Sequence, residues 1–377
     1  MHQKLYQQLT VTLLLLMLSS IAPAAEPTML VNKSVAVVSD QFSRWSEGGF
    51  LVLNDRDILL VATGYSWKSS NSDNNDASLY AFRSHDGGSS WTPQDQAECL
   101  QPPAELGMQN VMSVSLLKLA DGDVLMTFFA YKQGRDYGGT FLRRSTDNGR
   151  TWNQVRNIGA DLVGLPGRNF QLSSGRIVVP VYVAKAGSGT LVSDDGGESW
   201  QRSNTVEGYE PTVVELNDGR LLMYQRTELG QIYRSLSKDQ GESWSPREPT
   251  GIPAPSSMST LLRLQNGDLM LIFNMVRDAD EIDGPWPRHR LCTMISQDEG
   301  RSWKHLRFLD GGEPLADILK ITMASATTIG DDEIAVVWSR SPLHCKPHNN
   351  LYDYRYRKFK LDWLYAGDET LEYEASE

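Results

Sequence analysis

An octapeptide of the form Ser-x-Asp-x-Gly-x-x-Trp recurs five times in this chain. The copies are Ser84-His-Asp86-Gly-Gly88-Ser-Ser-Trp91, Ser145-Thr-Asp147-Asn-Gly149-Arg-Thr-Trp152, Ser193-Asp-Asp195-Gly-Gly197-Glu-Ser-Trp200, Ser237-Lys-Asp239-Gln-Gly241-Glu-Ser-Trp244 and Ser296-Gln-Asp298-Glu-Gly300-Arg-Ser-Trp303. They are spaced by roughly 45–60 residues, the period of propeller blades. A repeat of that length is one supersecondary unit stacked against its neighbours. Each copy reads as a hairpin turn. The Asp accepts backbone N–H bonds of its own turn, the Gly supplies a positive φ, and the Trp opens the next strand and buries a large apolar surface. These residues build the blade and do no chemistry.

A second repeat sets the blade count. Six polar turns, each flanked by apolar runs, centre on Asn54–Asp57, Asp121–Asp123, Ser173–Arg176, Asn217–Arg220, Asn266–Asp268 and Gly330–Asp332. Short Gly/Asn/Asp turns between such runs mark hairpins. Six hairpins, five of them followed by an Asp turn, predict an all-β, six-bladed β-propeller with four antiparallel strands per blade. The sixth blade lacks its Asp turn. The irregular Pro342–Pro347 stretch stands there, ahead of a last strand near Tyr356–Tyr365. The early run Ser34–Val38 is expected to complete the closing blade, because ring closure removes sheet edges.

Residues 1–25 read as an export signal: Lys4, the apolar run Leu13–Leu18, then the small residues Ala22-Pro-Ala24. Residues 26–377 form one domain, with no linker or low-complexity segment. A secreted or periplasmic monomer without a transmembrane anchor is expected, because no later window is apolar for long enough to span a bilayer. The net charge of −11 supplies no basic face for nucleic acid. Cys99, Cys292 and Cys345 make neither a disulfide framework nor a metal motif. Cys292 falls in a strand pattern and reads as a buried small hydrophobe. No His/Cys/Asp cluster has metal-ligand spacing, so no cofactor is expected.

The mature chain resembles the sialidase (neuraminidase) superfamily, in its bacterial Asp-box branch. The resemblance is strongest from Gly208 to Trp303. There, Gly208-Tyr-Glu210-Pro and Tyr224-Gln-Arg226 look like the segment carrying that family's buried Glu and a substrate-binding Arg. Pro287-Arg-His-Arg290 looks like its next Arg segment, with Arg288 as the alternative to Arg290. The loop Asp73-Asn-Asn-Asp76 looks like the one holding its acid/base Asp. The resemblance thus implies catalytic roles for Asp73 (or Asp76) and Glu210, and substrate binding by Arg226 and Arg290. Arg168 occupies the equivalent blade-opening position in Gly167-Arg-Asn-Phe170.

Two positions depart from that pattern. The family's first Arg falls at Ser46-Glu47-Gly-Gly-Phe50, which places the acid Glu47 in the site. Its nucleophilic Tyr falls near Thr322-Met323, where there is none. Guanidinium groups bind a sugar carboxylate through paired charge-assisted bonds, and sialidases use Tyr where a carboxylate nucleophile would be repelled. The expectation is therefore a sialidase-like hydrolase of an acidic or complex glycan, in which Asp73 and Glu210 work on a substrate that lacks the anomeric carboxylate. The alternative is a propeller that binds polysaccharide without catalysis or cleaves it as a lyase.

Overall fold

The β-branched and aromatic runs flanking the polar turns become strands almost throughout. The structure, a computed structural model, describes residues 28–67, 73, 75–132, 136–183, 186–276, 288–311, 320–341, 351–368 and 373–374. The signal segment, Cys345 and the Pro342–Pro347 stretch lie outside the described residues. The protein is all-β, with its sheets in a propeller arrangement. One short helix, Leu361–Tyr365, follows the last long strand. No described helix is long and apolar enough to cross a membrane.

Six separate blades were expected, and the strand pairing differs. Four sheets stand alone as blades. One runs Val163–Gly164, Ile177–Val183, Gly187–Ser193, Gln201–Arg202, with Phe170–Gln171 also on Ile177–Val183. The next is Tyr209–Glu215, Leu221–Arg226, Gln231–Ser237, Glu248–Pro253. A third is Thr260–Arg263, Leu269–Asn274, Arg290–Ser296, Ser302–Gly311, extended by Tyr373–Glu374. The fourth is Ile321–Ile329, Glu333–Arg340, Asp353–Lys360, Met29–Ala36. The early strand therefore closes the ring against Asp353–Lys360, in antiparallel register.

The remaining strands form one eight-stranded sheet. Two antiparallel meanders, one opening on Phe42–Val52 and the other on Asn110–Lys118, are joined by a single parallel pair, Ala77 with Asn110. The cause is local. The buried Asn110 amide donates to the carbonyls of Asp73 (2.9 Å) and Asn75 (2.7 Å), which draws its strand alongside Ala77–Ser84.

The Asp turns are built alike. In the first, Asp86 Oδ1 accepts from the Ser84 hydroxyl (2.9 Å) and the Ser90 N–H (2.7 Å). Ser84 Oγ accepts from Gly88 N–H (2.8 Å). The same bonds recur at Ser145/Asp147, Ser193/Asp195, Ser237/Asp239 and Ser296/Asp298. These bonds favour the ionised acid and hold Asp86 down to about 2, the Ser90 hydroxyl contributing most. The Trp that follows packs into the groove beside a neighbouring sheet. Trp303, 1 % exposed, donates to Tyr224 Oη at 2.9 Å and so links two blades.

Hydrophobic clusters lie between successive sheets. Val214, Tyr224, Leu271, Met294 and Trp303 share one, and Ile272, Ile295, Ile334 and Trp338 the next. A similar cluster, Leu59, Val61, Val114, Met126 and Phe128, separates the two meanders of the large sheet. Cys292, fully buried, belongs to the first of these clusters. With the core distributed in this way, the axis is left to the innermost strands.

Candidate active site

Four innermost strands carry the same defect. Their register slips between Ser46 and Gly49, Met112 and Ser115, Tyr209 and Thr212, and Thr322 and Ser325. At each bulge one non-glycine residue takes a left-handed backbone: Glu47 (φ 55°), Ser113 (58°), Glu210 (43°) and Met323 (57°). Such a conformation costs about 1–3 kcal/mol per residue and concentrates at functional sites. All four side chains line one pocket of ≈ 320 Å³. Asp73 and Arg226 line it too, and Phe129, Val163 and Leu165 form an apolar wall. No Asp-turn residue is among its lining.

The pocket has a cation that sequence reasoning missed. Arg44, 4 % exposed, comes from the opening strand three residues before Glu47. Its Nη1 donates to Asp73 Oδ1 (2.5 Å) and its Nη2 to Glu47 Oε1 (2.9 Å). Its guanidinium also lies 4.4 Å from the Tyr65 ring centroid. Burial opposes its charge, but Tyr65, Asp73 and Glu47 overcome this and hold it firmly protonated. The acid was therefore not in place of the cation; both are present. The signal was an Arg between Phe42 and Trp45 at the start of an apolar strand, too costly to bury without a carboxylate partner.

Glu47 is itself enclosed. Ser113 Oγ donates to its Oε2 (2.6 Å), and Tyr65 Oη donates to Oε1 (3.3 Å). Burial pushes its carboxyl up to about 7, with Arg44 pulling the other way. Asp73 sits at the rim, its side chain 68 % exposed. Arg44 holds its carboxyl below the usual range. Asn110, also unforeseen, anchors the Asp73 backbone.

On the opposite side Glu210 Oε2 accepts from Arg226 Nη1 at 2.7 Å, and Arg226 Nε donates to Ser256 Oγ at 3.0 Å. The two strands pair with Tyr209 opposite Arg226, so the bulge turns Glu210 onto the guanidinium. Of the two arginines near residue 290, Arg288 is the one whose electrostatic neighbours are Arg226, Glu210, Tyr352 and Asp73. Burial and Arg226 bring it down to about 10, and it is fixed by Thr322 Oγ1 (3.0 Å) and the Ser256 carbonyl (2.6 Å). Arg290 is buried at the head of its strand, 5 % exposed. Arg168 is buried deeper on the axis. It donates to the carbonyls of Ser259 (2.8 Å) and Ala324 (3.3 Å) and borders a second cavity behind the pocket.

Two further residues complete the charge pattern. Lys320, half-buried, is lowered to about 8 by burial and by Arg288 and Arg44. Tyr352, 2 % exposed, comes from a segment far along the chain; the Arg44 guanidinium lies 5.3 Å and Lys320 Nζ 5.8 Å from its ring centroid. Burial raises its hydroxyl to about 12, and Arg44 and Arg288 oppose that. Arg44, Arg226, Arg288 and Lys320 thus face Glu47, Asp73 and Glu210. The four cations outnumber the three acids even with Glu47 ionised, which makes the local field positive. Among the described residues no group of His, Cys, Asp and Glu is arranged to hold a metal ion.

Five Asp turns and four bulged innermost strands around one axis define a class of Asp-turn propellers, and comparison with known proteins agrees. Residues 128–358 match the BNR repeat-like domain family, and the chain belongs to it. It is similar to a sialidase of Bacteroides fragilis (28 % identity over 195 residues, 45 % of this chain and 35 % of the relative). It is also similar to a sialidase of Micromonospora viridifaciens (22 % identity over 331 residues, 76 % of this chain and 47 % of the relative). The chain thus spans about a third to a half of these relatives' length. Among solved structures it matches a Hadza microbial sialidase with a TM-score of 0.69 at 19 % identity, over 90 % of this chain and 70 % of that one. A leech intramolecular trans-sialidase matches with a TM-score of 0.69 at 15 % identity, over 89 % and 71 %. At these identities the structural likeness shows the shared fold.

Proposed function

We propose that this protein is an exported glycoside hydrolase that releases an acidic sugar from a glycan. The observation that carries the reading is the meeting of Arg44, Arg226 and Arg288 with Asp73 and Glu210 around one axial site. The relatives' sialidase names and the signal-like residues 1–25 support it. The two meanders of the eight-stranded sheet are read as two fused blades, which restores six.

With Arg44 in the site, a carboxylate-bearing substrate becomes the better reading than one without it. The substrate carboxylate sits against the arginines and competes with Glu47 and Asp73 for Arg44. Below about pH 7 Glu47 is protonated and yields Arg44 more readily. Asp73, relieved of its cation, gains a proton and becomes the acid for the leaving oxygen. Glu210, held by Arg226, is the second carboxylate of the reaction. The apolar wall of Phe129, Val163 and Leu165 takes the uncharged part of the sugar.

A second reading gives the attack to the Tyr352 hydroxyl, and its place between Arg44 and Lys320 favours it. The test is a glycan-release screen with purified protein on sialosides, uronides and rhamnosides. Release of an acidic sugar that Glu210→Gln abolishes is the expected result. Release of only neutral sugars, or of none, overturns the proposal.

A further inference from the structure

Residues Ala254–Ser259 carry the chain from the strand Glu248–Pro253 to the next sheet, which opens at Thr260. This crossing is tied down along its length. The Ala254 N–H donates to the Gly230 carbonyl (3.0 Å) and the Ser257 N–H to the Pro255 carbonyl (2.6 Å). The Ser257 hydroxyl donates to Asn274 Oδ1 (2.6 Å), and the Asn274 amide donates to the Ile321 carbonyl (3.1 Å). Pro255 fixes its own φ. All six residues are buried except Ser256, which is half-buried. Met258 lines the pocket.

The crossing supplies acceptors to arginines from three different sheets. The Ser259 carbonyl accepts from Arg168 Nη2 (2.8 Å). Ser256 takes the other two. Its hydroxyl accepts from Arg226 Nε (3.0 Å), and its carbonyl accepts from Arg288 Nη2 (2.6 Å). One residue therefore stands between two guanidinium groups whose like charges oppose each other.

Each guanidinium is thereby held at two of its nitrogens. Arg226 is bonded to Glu210 through Nη1 and to Ser256 through Nε. Arg288 is bonded to Thr322 through Nη1 and to Ser256 through Nη2. A planar group held at one atom turns about that bond, and a second contact fixes its plane. The plane matters here, because guanidinium groups recognise a carboxylate by parallel paired bonds.

We propose that Ser256 is a positioning residue that locks the planes of Arg226 and Arg288, so that the two receive one substrate carboxylate together. The inference rests on the acidic-sugar reading above and adds to it the residue that sets selectivity for the charged sugar. Removing the hydroxyl frees the plane of Arg226 but leaves the Arg226–Glu210 bond in place. Recognition of the carboxylate is lost, while the contacts to uncharged parts of the sugar and the chemical step are kept.

The experiment is titration calorimetry of the full chain with N-acetylneuraminate and glucuronate, and with the methyl ester of each as the uncharged control. Ser256→Ala should weaken binding of whichever acid the native protein takes by about tenfold. Binding of the methyl ester should change by less than about twofold. Ser256→Thr, which keeps a hydroxyl, should restore the acid. On a substrate that the native protein cleaves, Ser256→Ala should raise KM by the same factor and leave kcat within about threefold. An acid that binds the native protein and Ser256→Ala equally would overturn the inference alone. So would an equal loss for acid and ester, or a folded Ser256→Thr protein that binds no better than Ser256→Ala. A native protein that binds neither acid would overturn the acidic-sugar reading, and this inference with it.

Discussion

Arg44 and Glu47 are joined by a 2.9 Å bond from Nη2 to Oε1, and both side chains are almost wholly buried. The bulge after Ser46 makes this possible. It turns Glu47 to the side on which Arg44 already lies, so that the cation is balanced inside the protein before any ligand arrives.

Glu47 should give the protein a pH-dependent stability. Its carboxyl is raised from an ordinary 4.5 to about 7 by burial, so the folded state binds its proton more tightly than the unfolded state does. That stability is fully present at low pH and is lost as pH rises toward and through 7. Glu47→Gln removes this dependence. Melting curves at pH 5 and pH 8 should show the variant gaining on the native protein, by up to about 3 kcal/mol. A pH-independent difference would mean that Glu47 is not the titrating group.

The same titration should govern substrate binding. Ionised Glu47 competes for Arg44, so KM for an anionic substrate should rise as pH increases above about 7. In Glu47→Gln that rise should disappear. Steady-state kinetics across pH 5–9 check this.

Arg226→Ala should weaken binding of an acidic substrate by about 1.5–3 kcal/mol, the scale of a lost charged hydrogen bond. It also strips Glu210 of its partner, so kcat should fall with it. Unchanged kinetics would remove Arg226 from the site.

Glu210→Gln should abolish turnover while leaving the melting temperature nearly intact, because Gln still accepts from Arg226. Tyr352→Phe distinguishes the attacking group. It keeps the ring beside Arg44 and removes only the hydroxyl. With Glu210 carrying the chemistry, kcat falls no more than about tenfold; a fall of about a thousandfold transfers the attack to Tyr352.

Trp303→Ala tests the blade turns apart from the site. It empties a fully buried position and breaks the bond to Tyr224, and should cost about 3–5 kcal/mol. Specific activity of the folded fraction should be unchanged, because Trp303 does not line the pocket.

The propeller was legible because its signals are local. An Asp turn closes on itself within eight residues, and Ser145, Asp147, Gly149 and Thr151 satisfy one another whatever surrounds them. Glu210 and Arg226 were legible for a similar reason: they occupy facing ends of one hairpin, and strand pairing alone brings them together. The fusion of the first two meanders was not, because it depends on the Asn110 amide reaching a loop 37 residues earlier.

The rest of the site depended on the ring. Arg44, Asp73, Arg288, Lys320 and Tyr352 come from separate segments, and no spacing relates Tyr352 to an arginine 308 residues before it. A one-residue bulge reverses which side chains face the axis, so whether Glu47 replaced a cation or joined one turned on a slip between Ser46 and Gly49. Local turn chemistry in the sequence determined that this chain makes propeller blades. Closure of those blades around an axis, which buries charges against partners from distant strands, decided which residues meet there and in what state of charge.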